Sequence, residues 1–173
     1  MKLNNLVKAS IFTSTAIGLG FAFLLVPNVE FISVTVFLSG ITLGAIIGSI
    51  VGVSSIAIYS ILNPLGSGLV YFPLLIGQII AMAVIGIAGA MNKKILVNLP
   101  SKTLILFSGA IGGFCSIWYD GVTTISYPIS VGYSIEESLV YSLGGLLFTV
   151  MHILSNVIIF SIVIPSYLNR IVK

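Results

Sequence analysis

A run of uncharged residues from Phe31 to Leu62 constrains the fold of this chain more than any other feature. At the helical rise of 1.5 Å per residue, its 32 residues would extend about 48 Å, whereas the hydrocarbon core of a bilayer is about 30 Å thick. The run therefore predicts two membrane helices with a break between Ser39 and Gly44. One long, tilted helix over the same residues is the alternative.

The scarcity of charge extends over the whole chain, which is 58% hydrophobic and 6% charged. A soluble domain carries about 25% charged residues, so the composition predicts an all-α integral membrane protein with a single membrane domain over residues 1–173. No segment concentrates the basic residues, which argues against a nucleic-acid partner. Cys115 is the single cysteine and excludes a disulfide within the chain.

Small residues recur at intervals of four or five positions on the central helices. Before a turn at Asn63-Pro64-Leu65-Gly66-Ser67-Gly68 they are Gly40, Gly44, Gly48 and Gly52, and after it they are Gly77, Ala81 and Gly86. Glycine costs a helix about 1 kcal/mol relative to alanine. In lipid, close backbone approach between helices is the usual compensation. The pattern therefore predicts a tightly packed helix bundle.

The remaining apolar segments complete a predicted bundle of six transmembrane helices. We expect the first helix over Asn5–Val26, the fourth over Tyr71–Met91, the fifth over Thr103–Tyr119 and the sixth over Ser138–Ile164, where Pro165 bends or ends it. We expect loops over Asn92–Lys102 and over Asp120–Glu137.

The charged residues separate cleanly under this topology. The seven basic residues fall on the side of the termini: Lys2, Lys8, Lys93, Lys94, Lys102, Arg170 and Lys173. The four acidic residues fall near the other side: Glu30, Asp120, Glu136 and Glu137. The positive-inside rule then predicts cytoplasmic N- and C-termini in a prokaryotic plasma membrane, whereas five spans would split the basic residues.

Polar and aromatic residues cluster near the predicted outer face and are candidates for binding a solute. They are Asn28, Glu30, Tyr59, Asn63, Tyr71, Trp118, Asp120 and Tyr127, with Gln78 as a mid-span amide on the outer half. The alternative is an ordinary belt of interfacial aromatic residues above solvated loops. For Asp120 the two possibilities are a site carboxylate and a solvated loop carboxylate.

Two helices carry polar residues along one face. In the predicted sixth helix these are Ser138, Ser142, Gly145, Thr149, His152 and Asn156, and in the fifth they are Gly112, Ser116 and Asp120. Lipid offers no hydrogen-bond partner, so both faces should point inward. They could form the floor of a cavity, with His152 as a binding residue, or they could only link helices, which is favoured for Asn156.

Little in the sequence predicts catalysis. A Ser-His hydrolase would need Ser67 or Ser142 with His152, and neither serine lies in a nucleophile motif. There is no G-x-x-x-x-G-K-[ST] segment for ATP hydrolysis. We therefore expect no enzyme activity, no cofactor and no metal site.

The order of these motifs resembles the substrate-binding S components of energy-coupling factor (ECF) transporters. The resemblance lies in Pro27-Asn28-Val29-Glu30, the glycines from Gly40 to Gly52, Asn63-Pro64-Leu65-Gly66, Trp118-Tyr119-Asp120 and His152-Ile153-Leu154-Ser155-Asn156. It covers nearly the whole chain.

This resemblance implies a six-helix protein that binds a vitamin or related micronutrient from outside, with corrinoid-type cargo one candidate. It implies partners as well: a transmembrane T component and two cytoplasmic ATPase subunits. The first helix of such proteins often docks on the T component through an Ala-x-x-x-Ala motif, which corresponds here to Ala9 and Thr13, or to Ser10 and Ser14. A structural or assembly membrane protein, or a small channel, is the alternative.

Overall fold

The chain folds into helices throughout the part that the computed structural model describes, residues 3–66 and 68–171. The helices are α1 (Leu3–Ala22), α2 (Ile32–Leu43), α3 (Ala45–Ile61), α4 (Phe72–Asn98), α5 (Ser101–Ser130), α6 (Ile135–Leu143) and α7 (Leu146–Ile171). The predictions that involve Lys2, Ser67 and Lys173 fall outside the described residues. Helices α4, α5 and α7 are long and apolar enough to cross a membrane, and α2 and α3 are shorter apolar helices.

The long uncharged run is interrupted at Gly44, inside the predicted interval. Gly44 has a φ of +90°, a conformation that favours glycine, and its N–H donates to the carbonyl of Gly40. The prediction of two helices is confirmed, and the alternative of one long helix is wrong. Every residue of α2 from Ile32 to Ile41 is buried, so α2 lies in the interior of the bundle.

The regularly spaced glycines lie where α2, α3 and α4 cross. A Cβ atom on Gly86 would collide with the carbonyl group of Gly48, and one on Gly40 would collide with the carbonyl oxygen of Gly86. The predicted close backbone approach is therefore present, because no side chain separates these helices. On its other flank, α2 packs against α7, where the ring centroids of Phe37 in α2 and Phe160 in α7 lie 5.6 Å apart.

Contacts between the helices define their directions. Helix α1 runs parallel to α3, with Thr13 Oγ1 3.3 Å from Ser54 Oγ, and α4, α5 and α7 then alternate in direction. The start of α1 and the end of α7 therefore lie at the same end, which we call the basic end. Its charged side chains are Lys8, Lys93, Lys94, Lys102 and Arg170. The opposite, acidic end contains Glu30, Glu136 and Glu137.

Several predicted boundaries are wrong. Helix α4 continues through Lys93 and Lys94 to Asn98, and α5 continues through Asp120 and Pro128 to Ser130, so the predicted loops over 92–102 and 120–137 are largely helical. Hydropathy falls where the apolar segment ends, but α4 continues past that point because lysine is a good helix former. The extension of α5 contains no lysine, and its composition does not explain it.

The last predicted helix is also different in the structure. It is divided into α6 and α7 by a turn at Gly144 and Gly145, where two adjacent glycines weaken helical continuity. Helix α7 then continues through Pro165 instead of ending there. Consequently His152 lies in the second turn of α7, close to the acidic end.

Candidate functional site

Three segments that are distant in the sequence meet at the side chain of His152. Its Nδ1 lies 2.8 Å from Asp120 Oδ1 in α5, and its Nε2 lies 3.6 Å from Glu30 Oε1, just before α2. The His152 side chain is only 8% exposed. Because an ionised carboxylate can only accept, Nδ1 donates its proton to Asp120. The imidazole therefore lies between two acidic groups inside the bundle.

Glu30 is oriented by the first turn of α2 and by α7. Its Oε2 accepts the backbone N–H of Ser33 at 2.8 Å, as an anion does at the start of a helix, where N–H groups are unpaired. Its Oε1 accepts from Asn156 Nδ2 at 3.2 Å, and the same nitrogen donates to Ser116 Oγ at 2.9 Å. Asn156 is fully buried and thus joins Glu30 to both α5 and α7.

The connection that contains Glu30 has a second attachment to α7. The Ser155 hydroxyl donates to the backbone carbonyl of Asn28. Asn28 has a φ of +58°, in the left-handed region that asparagine tolerates better than most residues. This segment is therefore fixed at two points beside His152.

A cavity of about 220 Å³, which we call the central cavity, adjoins these charged groups. Its lining residues are Asn28, Glu30, Ile32, Ile56, Tyr59, Met82, Tyr119, Asp120 and His152. Two buried atoms of this lining, Asp120 Oδ2 and His152 Nε2, have no hydrogen-bond partner. The 3.6 Å separation from Glu30 is too long to satisfy Nε2. Buried polar atoms normally have partners, so these two are available to a bound molecule.

Aromatic rings form part of the wall of the central cavity. The Tyr119 ring stands edge-on to the imidazole of His152, with centroids 5.9 Å apart. The Tyr59 ring packs 5.1 Å from that of Phe21. Tyr119 was not among the predicted binding residues. Its position between Trp118 and Asp120 was the available signal, but periodicity alone could not say which neighbour shares the face of Asp120.

A second, larger cavity lies further along α5 toward the acidic end. We call this space of about 540 Å³ the tyrosine cavity, and it is lined by Tyr71, Leu74, Thr123, Thr124, Tyr127 and Tyr141. The rings of Tyr71 and Tyr127 meet edge-to-face at 6.1 Å. Tyr119, Thr123 and Tyr127 are four residues apart on α5, so the tyrosine cavity follows the central cavity along one helix face.

Three predicted binding residues lie elsewhere. Trp118 lines a separate apolar groove of about 320 Å³ between α4 and α5, and its Nε1–H donates to the carbonyl of Ala81 at 3.3 Å. Gln78 accepts a hydrogen bond from Ser60 at 2.8 Å and thereby links α3 to α4. Asn63 accepts the backbone N–H of Leu65 and shapes the turn after α3.

The residues predicted to dock a partner divide into two pairs on α1. Ala9 is buried and Thr13 contacts Ser54, so both face α3 within this chain. Ser10 and Ser14 are exposed, and their hydroxyls donate to backbone carbonyls of α1 itself. The second pair therefore remains accessible on the surface of the bundle.

The arrangement of Glu30, Asp120 and His152 bears on metal binding. Within residues 3–66 and 68–171, no group of three His, Cys, Asp or Glu side chains is placed to hold a metal ion. The two carboxylates approach different nitrogens of one imidazole, so their oxygens do not converge on a common point.

Comparison of the chain with family models, curated proteins and solved structures finds no match.

Proposed function

We propose that this protein is a membrane-embedded solute-binding subunit that resembles the S components of ECF transporters. The observation that carries the proposal is the central cavity, where the imidazole of His152 and the carboxylate of Asp120 each keep one buried atom without a partner. Ser55, Ser108 and Asn156 also keep an unpaired buried atom, but none of them lines the central cavity, whereas the unpaired atoms of His152 and Asp120 adjoin a space in which a ligand could pair with both.

The separation of charge supports a six-span topology for the same proposal. The described basic residues all lie at the end where α1 begins and α7 ends, and the positive-inside rule places that end in the cytoplasm. Helix α2 has only 12 residues, but it is enclosed by other helices and need not span the lipid by itself. The central cavity would then lie nearer the outer face.

The volume of the central cavity favours a small solute. Pockets for drug-sized ligands occupy about 300–1,000 Å³, and this one measures about 220 Å³. A corrinoid macrocycle is too large for a cavity of about 220 Å³. We therefore propose a small vitamin or a smaller molecule, and we keep corrinoids in the panel of test solutes.

The exposed serines of α1 suit the partner expected for such a subunit. Ser10 and Ser14 present small side chains, which permit close approach of another membrane helix. In this proposal they contact a transmembrane T component that couples the subunit to two cytoplasmic ATPases. The protein itself would bind and release solute without catalysis.

A thermal-shift screen of the purified protein tests the proposal. The panel contains vitamins, nucleobases and corrinoids, and a true ligand at about 100 times its Kd should stabilise the fold by about 2.7 kcal/mol. Asp120→Asn should abolish most of that shift, and Glu136→Gln, which removes an exposed acid outside the cavity, should not. Failure of every solute, together with capture of no ATPase in pull-downs, would favour a structural protein or small channel.

A further inference from the structure

Two hydrogen-bonding atoms in the lining of the central cavity are unpaired. With Nδ1 of His152 donating to Asp120, a neutral imidazole offers Nε2 as an acceptor. The other unpaired atom, Asp120 Oδ2, is also an acceptor. The two donors to Glu30, the backbone N–H of Ser33 and Asn156 Nδ2, are already engaged, and Asn156 Nδ2 is shared with Ser116. With His152 neutral, both unpaired atoms are acceptors, and a ligand that supplies N–H or O–H groups would satisfy them. Tyr59 and Tyr119 line the same cavity, and their hydroxyls can donate to the ligand as well.

The formal charge of the central cavity is negative, which also favours a ligand that carries donors. Its described lining contains two carboxylates and one histidine but no lysine or arginine. The cluster carries a net charge of −1 when His152 is protonated and −2 when it is neutral. The described lysines and the arginine lie at the opposite end of the bundle, so they cannot neutralise it. A buried net charge is costly unless a counter-charge accompanies it.

The remaining walls fit an organic body. Tyr59 and Tyr119 present aromatic rings, and Ile32, Ile56 and Met82 present apolar surface. Aromatic faces attract cations within about 6 Å of the ring centroid. A bare inorganic ion would leave these apolar walls unused, and the carboxylates do not converge as metal ligands would.

We propose that the solute is a small organic cation whose N–H groups bind Asp120 and His152. This inference rests on the proposed function and specifies the charge class of its ligand. In the bound state His152 is neutral, so one ligand N–H donates to Asp120 Oδ2 and another to His152 Nε2, and the positive charge offsets part of the net charge of −2 that the cluster then carries. Glu30 contributes by its charge, and Tyr119 covers the apolar part of the ligand.

Three probes of nearly equal size and shape separate charge from fit: benzamidine, benzamide and benzoate. The first is a cation with N–H donors, the second is neutral, and the third is an anion. We expect benzamidine at millimolar concentration to raise the Tm of the detergent-purified protein, benzamide to raise it less and benzoate to leave it unchanged. Equal shifts, the reverse order, or no shift with benzamidine would overturn the inference.

Two variants test whether benzamidine binds in the central cavity. Asp120→Asn should weaken benzamidine binding about tenfold or more in calorimetry, because a charge-assisted hydrogen bond is lost. Glu136→Gln removes the same charge at the exposed start of α6 and should leave binding unchanged. If both variants bind like the parent chain, the cation does not occupy the central cavity and the inference fails. Glu30→Gln, also expected to bind more weakly, replaces Asp120→Asn should that variant not fold.

The outcomes separate this inference from the proposed function. A neutral or anionic vitamin that stabilises the parent protein, but not Asp120→Asn, would keep the solute-binding function and overturn the cationic class. Stabilisation by Ca²⁺ or Zn²⁺ alone, lost in Asp120→Asn, would likewise overturn the organic ligand. If no solute of any charge binds, both proposals fail.

Discussion

The two sides of the bundle pack in opposite ways. Where α2, α3 and α4 cross, Gly40, Gly48 and Gly86 bring backbone against backbone and leave no space between the helices. Between α5 and α7 such an approach occurs at Gly112, and one turn later Ser116 begins a hydrogen-bonded polar cluster beside an open cavity. Glycine packing thus supplies a rigid wall, and the polar side supplies the space and chemistry of a site.

The largest expected effect comes from filling the rigid wall. Gly86→Ala would place a methyl group against the backbone of Gly48 and Ser49, and backbone cannot turn aside as a flexible side chain can. We expect the free energy of unfolding to fall by about 3 kcal/mol or more. Overpacking typically costs about 1–3 kcal/mol, and a clash with backbone should lie at the upper end of that range or beyond it. Thermal unfolding in detergent, followed by circular dichroism, measures it. A Tm equal to that of the parent would show that these helices are not in such close contact.

Disrupting the polar cluster should lower the free energy of unfolding less than filling the glycine wall does, but it should lower solute affinity more. Asn156→Ala removes the donor shared by Glu30 and Ser116 and leaves both without that partner. We expect about 1–2 kcal/mol of destabilisation, near the upper end for hydrogen bonds between membrane helices. Solute affinity should also fall, because Glu30 loses its orientation. Paired unfolding and calorimetric titrations test this, and unchanged affinity would remove Glu30 from the site.

A hydrogen bond outside both regions gives a smaller effect. Ser60→Ala removes the donor to Gln78 between α3 and α4. Such interhelical bonds average about 0.6 kcal/mol in membrane proteins, and neither residue lines the central cavity. We expect slightly lower stability with unchanged solute affinity. A clear loss of affinity would instead return Gln78 to the binding site.

The last predicted effect is also small, has the opposite sign and serves as the control for Gly86. Gly18 in α1 has no atom within 4 Å of the position that a Cβ would occupy. Gly18→Ala should therefore stabilise by up to about 1 kcal/mol, the difference in helix propensity. The same unfolding measurement applies. Destabilisation would mean that α1 packs more closely than this surface indicates.

The two sides also differ in how well the sequence predicted them. Glycines at intervals of four predicted the close helix crossings, because the repeat and the missing side chain are both visible in the sequence. The spacing of Ser116 with Asp120, and of His152 with Asn156, correctly placed each pair on one helix face. Spacing within a helix could not show that these two faces meet each other, since that depends on how α5 and α7 are oriented.

Other features were outside the reach of such patterns. Trp118 and Tyr119 are adjacent in the sequence, but one residue turns a helix by about 100°. One therefore faces an apolar groove and the other the central cavity. Hydropathy also does not report the helical state of Pro128, whereas the adjacent Gly144 and Gly145 were a local signal for the turn between α6 and α7 that the prediction did not use.

The position of His152 has a mechanical consequence. One ring contacts carboxylates from two other parts of the chain through its two nitrogens, and its own helix forms a third support. Under the proposed function, a solute that forms a hydrogen bond with this ring would act on all three supports at once. Through one imidazole, solute binding would then be coupled to the contacts among α5, α7 and the segment before α2.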